Sequence, residues 1–428
     1  MDFISIQEAL EKKKGHVAIR GWVYRDRKHK DKVFLVIRDS TDIIQAIVSK
    51  DSVSKEVWQD ACKVTTESSV MLEGNLRKDD RAPNGYEIDV SNFKIVGLAE
   101  PFPITRDLSE EFLLDIRHLA IRSRRLTSVL KIRSTVLGAL HECLRSKGFI
   151  EAQAPSLTVA TSEGGAETFK VDYFGKKAFL TQSWQFYGEN LINALEKVYA
   201  IAPSFRAEKS RTPRHLTEFW HCEVEQAWVG MEEMIKIAED CIMNCIKKVL
   251  ENNKKELSIL GVEEKYLKKI KAPFPRITYK EAIQMLQKKG LKIEYGKDFG
   301  AKEEKEIAKI FDNFVTVTNY PLEILKFYHG EDKNNPGTGA NFNIFAPDVG
   351  EIVDGSERES DLEKIKERLK KAKIDLKDAD WYLDSRRYGA VRHAGFGLGV
   401  ERLVQWICKL KSIRDAIPFP RTVTRIRP

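Results

Sequence analysis

Five short segments within the first hundred residues are rich in β-branched and aromatic residues, and polar turns separate them. Segments of this composition and length are typical of β-strands. Five short strands in one small domain favour a closed barrel over an open sheet. The five segments are 16–24, 33–38, 43–48, 69–75 and 86–96.

An OB-fold is the natural candidate for such a barrel, and it would span residues 1–98. The charged segment 99–125 has the character of a hinge. Apolar residues then recur at spacings of three and four over 126–147, which predicts a long amphipathic helix that ends before Gly148 and leads to Pro155. Helices and strands are mixed from there on, so a larger second domain is expected over 126–428.

Composition restricts the class of protein. The chain is 42% hydrophobic and 32% charged, which is typical of a soluble globular protein. No apolar run reaches membrane-spanning length and the first residues lack a signal-peptide core, so a cytoplasmic location is expected. The six cysteines form no CxxC pair, which indicates neither a zinc site nor a disulfide framework. A net charge of +8 favours an anionic partner.

The densest group of polar residues lies between 205 and 225. Two strand-like segments flank a basic loop there, and the alternation of a strand places four side chains of the second segment on one face. A face with an aromatic ring and two carboxylates beside a basic loop is poor core material and suits a nucleotide pocket. The face carries Phe219, His221, Glu223 and Glu225, and the loop carries Lys209, Arg211, Arg214 and His215.

The segment GFGLGVER at 395–402 leads into an apolar helix. Glycines at alternate positions let the backbone approach either a ligand or a neighbouring strand, and the pattern alone does not separate these explanations. Arg402 follows one turn into the helix, where its guanidinium could reach a phosphate.

Three motifs in order resemble those of the class II aminoacyl-tRNA synthetases: a helix that leads to proline near 135–155, FRAE with a basic loop near 205–225, and GFGLGVER near 395–410. With the N-terminal barrel, the resemblance covers essentially the whole chain and points to the aspartyl, asparaginyl and lysyl subgroup, with the archaeal-type asparaginyl members most similar. It implies an α+β fold, with an OB-fold β-barrel that binds the anticodon and a catalytic domain whose antiparallel sheet is flanked by helices. Because the first motif forms the dimer interface in this family, a homodimer is expected.

The resemblance also implies roles in ATP binding. Arg206 would bridge the α-phosphate and the substrate carboxylate, and Glu208 would accept a hydrogen bond from the adenine amino group. Phe219 and Arg402 would enclose the adenine ring by stacking and cation–π contact. Catalysis by Arg206 and Arg402 would consist of positioning and charge stabilisation, because the substrate carboxylate is already ionised. The implied ATP-binding set is Arg206, Glu208, Arg214, His215, Phe219, Glu351 and Arg402, with Arg214 and His215 at the pyrophosphate end.

Magnesium is the metal that the resemblance implies, and Glu351 in VGEIVDGS matches the metal-binding glutamate of the family. The family's second ligand, eight residues upstream, is an aspartate, whereas this chain has Asn343. An amide oxygen can still coordinate the metal but carries less charge, which leaves the number of bound ions open. Asp348 or Asp354 would compensate, or both are ordinary loop residues.

The choice of amino acid depends on a few positions. Aspartate-specific members carry a lysine at the position of Gly188, and without that cation a buried substrate carboxylate would be left unpaired. Arg358 in GSER matches the arginine that reaches the substrate side-chain oxygen, and Glu223 would accept from a carboxamide and repel aspartate. The implied amino-acid-binding set is Glu163, Ser183, Gln185, Glu223 and Arg358, with Glu163 and Gln185 at the α-amino group.

In the barrel, Phe34 and Gln45 match positions that stack on and hydrogen-bond the central anticodon uridine in this subgroup, and Arg25 would contact phosphate. Without the resemblance, Phe34 would be assigned to the barrel core. Asparagine and aspartate anticodons share that uridine, so these residues do not identify the tRNA.

The sequence therefore predicts a ligase that uses ATP as substrate and Mg²⁺ as cofactor, forms asparaginyl-adenylate and charges the 3′-hydroxyl of tRNA(Asn). Three alternatives stay open: an aspartate-activating enzyme, including one that also charges tRNA(Asn); a paralogue that makes free asparagine; and a regulator that binds tRNA without catalysis. Gly188 and Glu223 argue against the first, the barrel argues against the second, and Asn343 keeps the third open.

Overall fold

The computed structural model describes residues 2–105, 108–159, 167–209, 215–372, 374 and 376–428. The chain forms two compact units, Met1–Glu110 and Glu111–Pro428. The division falls inside the segment expected to be a hinge, while the domain limits of 1–98 and 126–428 stay a prediction. Within the second unit, the buried guanidinium of Arg117 donates hydrogen bonds to the backbone carbonyls of Ile417 and Pro418.

The first unit contains α1 (Ile6–Lys12), β1 (Gly15–Lys28), β2 (Lys32–Arg38), β3 (Ile43–Ser49), α2 (Lys55–Lys63), β4 (Ser69–Lys78) and β5 (Tyr86–Gly97). Its described strands close into a barrel in the order β1-β2-β3-β5-β4, which confirms the predicted barrel. Neighbouring strands are antiparallel except β3 and β5, which are parallel. β1 is longer than expected, because its first half pairs with β4 and its second half with β2, with a bulge between Val23 and Arg25.

Alternation along β2 fills the barrel interior. Val33, Leu35 and Ile37 are buried, whereas the residues between them are partly exposed. Each such side chain contributes about 1.5–3 kcal/mol when it leaves water. A Cβ at Gly21 would overlap the backbone oxygen of Arg38, so the close approach of β1 and β2 requires glycine there.

The strands that follow are β6 (Ile150–Glu151), β7 (Leu157–Thr158), β8 (Lys170–Tyr173), β9 (Lys176–Leu180), β10 (Lys197–Phe205), β11 (Glu218–Ala227), β12 (Arg276–Thr278), β13 (Val315–Thr318), β14 (Asn341–Ala346), β15 (Gly350–Glu357) and β16 (His393–Gly399). The helices are α3 (Glu110–Asp115), α4 (Arg117–Ala120), α5 (Arg124–Ser146), α6 (Gln185–Leu195), α7 (Met231–Asn252), α8 (Lys254–Leu260), α9 (Glu264–Lys268), α10 (Tyr279–Lys288), α11 (Ala301–Phe311), α12 (Leu362–Lys371), α13 (Asp380–Arg387) and α14 (Val400–Ile407).

Eight of the described strands form one sheet in the order β12-β13-β14-β15-β16-β11-β10-β6. Its central pairs are antiparallel, as predicted, and parallel pairs occur only at its two ends, β12 with β13 and β10 with β6. A smaller sheet has the order β7-β9-β8. This arrangement confirms the α+β class and the antiparallel sheet flanked by helices.

The helix predicted over 126–147 is observed as α5. Its first turn is capped by Ser123, whose side chain accepts a hydrogen bond from the backbone N–H of Leu126, and Gly148 follows its end with φ of +81°. The apolar face of α5 packs on α7, and α7 packs on β15 and β16. One face of the sheet is therefore covered by helices. Among the described residues, no helix is long and apolar enough to cross a membrane.

Candidate active site

The strand pair predicted around the basic loop is observed as β10 and β11, which pair antiparallel with Ala200 opposite Glu223. Cys222 and Val224 of β11 point into the hydrophobic core. The alternate residues face a cavity on the other side of the sheet, as the period of two predicts. They are Phe219, His221, Glu223 and Glu225.

The cavity has a volume of about 290 Å³ and is lined by β11, β15, β16, α14 and the segments around them. It brings together most of the residues that the sequence assigned to ATP and amino-acid binding. Glu163 and Arg214 lie outside the described residues, and Asn343 is not part of the lining. The predicted residues that do line it are Ser183, Gln185, Arg206, Glu208, His215, Phe219, Glu223, Glu351, Arg358 and Arg402.

Two arginines give the cavity a positive region. The guanidinium of Arg206 lies 5.4 Å from the ring centre of Phe219. Arg402 donates hydrogen bonds to the side chain of Glu351 at 2.8 Å and to its backbone oxygen at 3.0 Å. Burial, together with the charges of Arg206 and Arg402, lowers the pKa of His221, so this imidazole is neutral at pH 7. An aromatic ring with one guanidinium beside it and a second in the same cavity suits a planar base that carries phosphates.

A buried glutamate fixes the start of α14 next to Arg402. Glu401 accepts a hydrogen bond from the backbone N–H of Trp220 at 2.9 Å and pairs with Arg133 of α5 at 2.7 Å. Burial raises the pKa of Glu401. Because these bonds join α5, β11 and α14, they hold Phe219 and Arg402 in a defined relative position.

The glycines of β16 lie in two different surroundings. A Cβ at Gly395 would overlap the backbone oxygen of Val224, so strand packing requires glycine there. At Gly397 and Gly399 a Cβ would meet its nearest atoms at 3.8 Å and 3.7 Å, which are ordinary contacts, and both residues line the cavity. Close strand packing therefore explains Gly395, whereas Gly397 and Gly399 stand at the cavity, where a ligand has access to the backbone.

A second polar group in the cavity combines a carboxylate with a guanidinium. Glu223 accepts hydrogen bonds from the hydroxyl of Ser183 and from the backbone N–H of Trp184, the latter at 2.7 Å. Burial raises the pKa of Glu223. Arg358 pairs with Glu225 at 2.6 Å. An acceptor and a donor that line one cavity can together bind a group with both functions, such as a carboxamide.

The family resemblance assigned Glu225 no role, although it lines the cavity and holds Arg358. The alternation of β11 had already placed it on the pocket face with Glu223, although without a specific role. Asp298 and Tyr328 also line the cavity, but they lie outside the three motifs and no sequence pattern points to them.

Gly188 has a local structural explanation. A Cβ at this position would overlap the indole ring of Trp184, one turn earlier in the chain. With the Trp184 ring in this position, packing at the start of α6 requires glycine. This lowers the weight of the missing lysine in the choice of amino acid, and leaves that choice to Glu223 and Arg358.

Acidic side chains surround Glu351. Asp298 and Asp354 line the same cavity, and Glu304 accepts a hydrogen bond from the backbone N–H of Glu351 at 2.9 Å. Burial, followed by the charge of Glu351, raises the pKa of Asp298.

The amide of Asn343 donates to Glu351 at 2.9 Å, so the two predicted metal ligands are adjacent. Among the described residues, no three His, Cys, Asp or Glu side chains form a ready metal cage. The carboxylate of Glu351 and the amide oxygen of Asn343 fit Mg²⁺, because proteins commonly bind this ion through one or two carboxylates together with water and substrate phosphates.

The three residues assigned to the anticodon share one face of the barrel. Val36 lies opposite both Arg25 and Gln45, and Phe34 precedes it by two residues on the same side of β2. Phe34 is half-buried and lies outside the barrel core, and the guanidinium of Arg27 is 4.9 Å from its ring centre. The alternative that Phe34 is a core residue is therefore wrong.

Comparison with known proteins identifies the class. Residues 109–423 match the model of the family described as tRNA synthetases class II (D, K and N), and residues 17–96 match the OB-fold nucleic acid binding domain. This chain belongs to the class II tRNA synthetases of that group, which confirms the resemblance seen in the motifs. Among its relatives, the asparagine–tRNA ligase of Thermoplasma acidophilum is 46% identical over 413 residues, 96% of each chain.

Solved structures of asparaginyl- and aspartyl-tRNA synthetases resemble this chain over its full length. The asparaginyl-tRNA synthetase from Pyrococcus horikoshii, complexed with asparaginyl-adenylate, matches with a TM-score of 0.96 and 44% identity over 100% of both chains. An aspartyl tRNA synthetase from Entamoeba histolytica matches with a TM-score of 0.87 and 26% identity, over 100% of this chain and 93% of that one.

Proposed function

We propose that this protein is an asparagine–tRNA ligase, which activates asparagine with ATP and transfers it to the 3′-hydroxyl of tRNA(Asn). The observation that carries the proposal is the presence of Glu223 and Arg358 in the same cavity as Arg206 and Phe219. The full-length identity of 46% with an asparagine–tRNA ligase supports the same choice of amino acid.

Activation depends on positioning and on charge stabilisation. Arg206 binds the α-phosphate and the substrate carboxylate, and it stabilises the negative charge that develops on phosphate oxygens during attack. Glu208 accepts from the adenine amino group, and Phe219 and Arg402 enclose the ring. The carboxylate is ionised at neutral pH, so the step needs no general base. Arg214 and His215 bind the pyrophosphate end.

Magnesium would be held by Glu351, with the amide oxygen of Asn343 as the second ligand. When bound, the ion neutralises charge on the ATP phosphates. The bonds that Glu351 makes with Arg402 and Asn343 orient its carboxylate before any ligand binds.

Glu223 and Arg358 select the amino-acid side chain. Glu223 accepts from the amide N–H groups of asparagine, and Arg358 donates to the amide oxygen. Aspartate would place a second carboxylate against Glu223 in a buried site, which is unfavourable. Sites built to hydrogen-bond one polar group can reject an analogue strongly, because their own buried groups are then left unpaired. Glu163 and Gln185 bind the α-amino group of the substrate. Ser183 donates a hydrogen bond to Glu223 and so fixes its carboxylate.

The barrel binds the anticodon of the tRNA. Two copies of the chain form a homodimer, which acts in the cytoplasm. Stacking of the central uridine on Phe34 and hydrogen bonding to Gln45 are supported by their common face, with Arg25 beside them for phosphate contact. Two exposed apolar side chains support association of two copies at the first motif: Ile150, within the motif, and Leu157, just after it. Light scattering of the purified protein would test this, since a mass of 49.1 kDa would contradict the dimer.

ATP–pyrophosphate exchange tests the proposed reaction. The purified protein is assayed with magnesium and with asparagine, aspartate or lysine in separate reactions, without tRNA. Exchange with asparagine alone is expected. Exchange with aspartate would keep the class and overturn the roles of Glu223 and Arg358, and no exchange with any of the three would favour a regulator without catalysis.

A further inference from the structure

One carboxylate that contacts the cavity residue Gln185 has no part in the mechanism above. The side chain of Glu189, on α6, is completely buried. Its Oε1 accepts a hydrogen bond from Nε2 of Gln185 at 2.8 Å. Its Oε2 accepts from the hydroxyl of Tyr382 at 3.0 Å, lies 3.1 Å from Nε2 of His393, and pairs with the guanidinium of Arg386. One oxygen thus serves a cavity residue, and the other is anchored in the protein.

The anchor connects the parts of the chain that build the amino-acid pocket. Nε of Arg386 donates to the backbone oxygen of Glu359 at 3.1 Å, and the backbone N–H of Arg358 donates to the backbone oxygen of His393 at 2.9 Å. Glu189 is therefore fixed by α13 and β16 and by the residues that follow β15. A charged group held this way cannot move toward or away from Gln185 without leaving a buried arginine unpaired.

The bond from Gln185 to Glu189 determines which end of the glutamine amide remains for a ligand. A carboxylate accepts hydrogen bonds, so the NH2 group of Gln185 must face Glu189, and its Oε1 is left as an acceptor beside the cavity. An α-ammonium group has only donors and needs such an acceptor. If the carboxylate were absent, the amide could rotate and present its NH2 group to the ammonium group.

We propose that Glu189 is a positioning residue that sets the orientation of the Gln185 amide for recognition of the substrate α-amino group. The proposal rests on the proposed function, in which Gln185 binds that group. Glu189 itself does not contact the substrate, and its effect should be confined to the part of the binding free energy that comes from the α-amino group.

The test compares asparagine with succinamic acid, which is asparagine without its α-amino group. Glu189→Gln removes the charge that pairs with Arg386 and can disturb the fold. Glu189→Asp is therefore the second variant: it keeps the charge but shortens the side chain by one methylene group. Folding of each variant is checked by thermal denaturation. Glu239→Asp is the matched control, because Glu239 is a buried carboxylate on α7 that does not line the cavity.

In Glu189→Asp, the KM for asparagine in pyrophosphate exchange should rise about 10-fold or more, the order expected when a hydrogen bond to a charged group is lost. The KM for ATP and the inhibition constant of succinamic acid should change less than about threefold, as should all three constants in Glu239→Asp. Equal weakening of asparagine and succinamic acid would show a merely structural role, and an unchanged KM for asparagine would also overturn the proposal. A parent protein without asparagine-dependent exchange would instead refute the proposed function.

Discussion

Replacement of Glu223 by glutamine tests the choice of amino acid most directly. The new side chain has the same size, and its carbonyl oxygen can keep the hydrogen bond from the backbone N–H of Trp184, which is 2.7 Å long in the parent. Its NH2 group then faces the NH2 group of bound asparagine, so two donors meet. Loss of a hydrogen bond to a charged acceptor costs about 1.5–3 kcal/mol. The kcat/KM for asparagine should therefore fall about 10- to 150-fold.

Aspartate should respond in the opposite direction. The repulsion between its carboxylate and Glu223 disappears in the variant, and the glutamine NH2 group can donate to it. The preference for asparagine over aspartate should thus fall by more than the activity with asparagine does.

Pyrophosphate exchange over a range of asparagine and aspartate concentrations measures both effects. Glu239→Gln is the control, because Glu239 is also a buried carboxylate that accepts a backbone N–H, from Phe274 at 3.1 Å, but it lies outside the cavity. An asparagine kcat/KM within about twofold of the parent, together with an unchanged preference, would refute the assignment of Glu223 to the substrate side chain.

Three further predictions concern other parts of the molecule. Burial raises the pKa of Glu223, so its ionised form is present only above that raised pKa; the kcat/KM for asparagine should fall as pH decreases through it, and pH profiles should show that Glu223→Gln lacks this acid limb. Phe34→Leu should raise the KM for tRNA about 5- to 150-fold, the value of one base stack of about 1–3 kcal/mol, and leave tRNA-independent exchange unchanged. Arg117→Met should lower the free energy of unfolding by about 3 kcal/mol or more in denaturant titrations, because Arg117 is buried and serves several carbonyls. Arg117 and Arg125 both pair with Asp415, at 3.1 Å and 2.7 Å, but the Arg125 side chain is exposed. Arg125→Met should therefore cost less than about 1 kcal/mol, and equal losses would contradict this reasoning.

Much of the site was predictable from sequence because local rules place its residues. The period of two along β11 puts Phe219 and Glu223 on one face, and the hairpin brings Arg206 to the same cavity. The five barrel strands were predictable from their β-branched and aromatic residues and from the polar turns between them. The longer span of β1 was not, because its extension depends on pairing with two different strands.

The contacts that hold the site in place were not predictable, because they join residues far apart in the chain. Arg358 and Glu225 are separated by 133 residues, and Arg386 and Glu189 by 197. Hydrophobic periodicity carries no information on such pairs. The reason for Gly188 was also hidden, since it depends on the position of the Trp184 ring rather than on any substrate.

These long-range pairs explain how a cavity with so many charges keeps one geometry. A buried ion pair adds little net stability, because the loss of hydration offsets most of the attraction, but separation of its partners costs about 3–5 kcal/mol. The pairs Arg133–Glu401 and Arg358–Glu225 each join a cavity strand or helix to a distant element, so packings that move one partner away are strongly disfavoured. The substrate therefore meets donors and acceptors whose positions are already fixed. Little of its binding free energy is then spent on ordering side chains, and more remains for stabilising the transition state of activation.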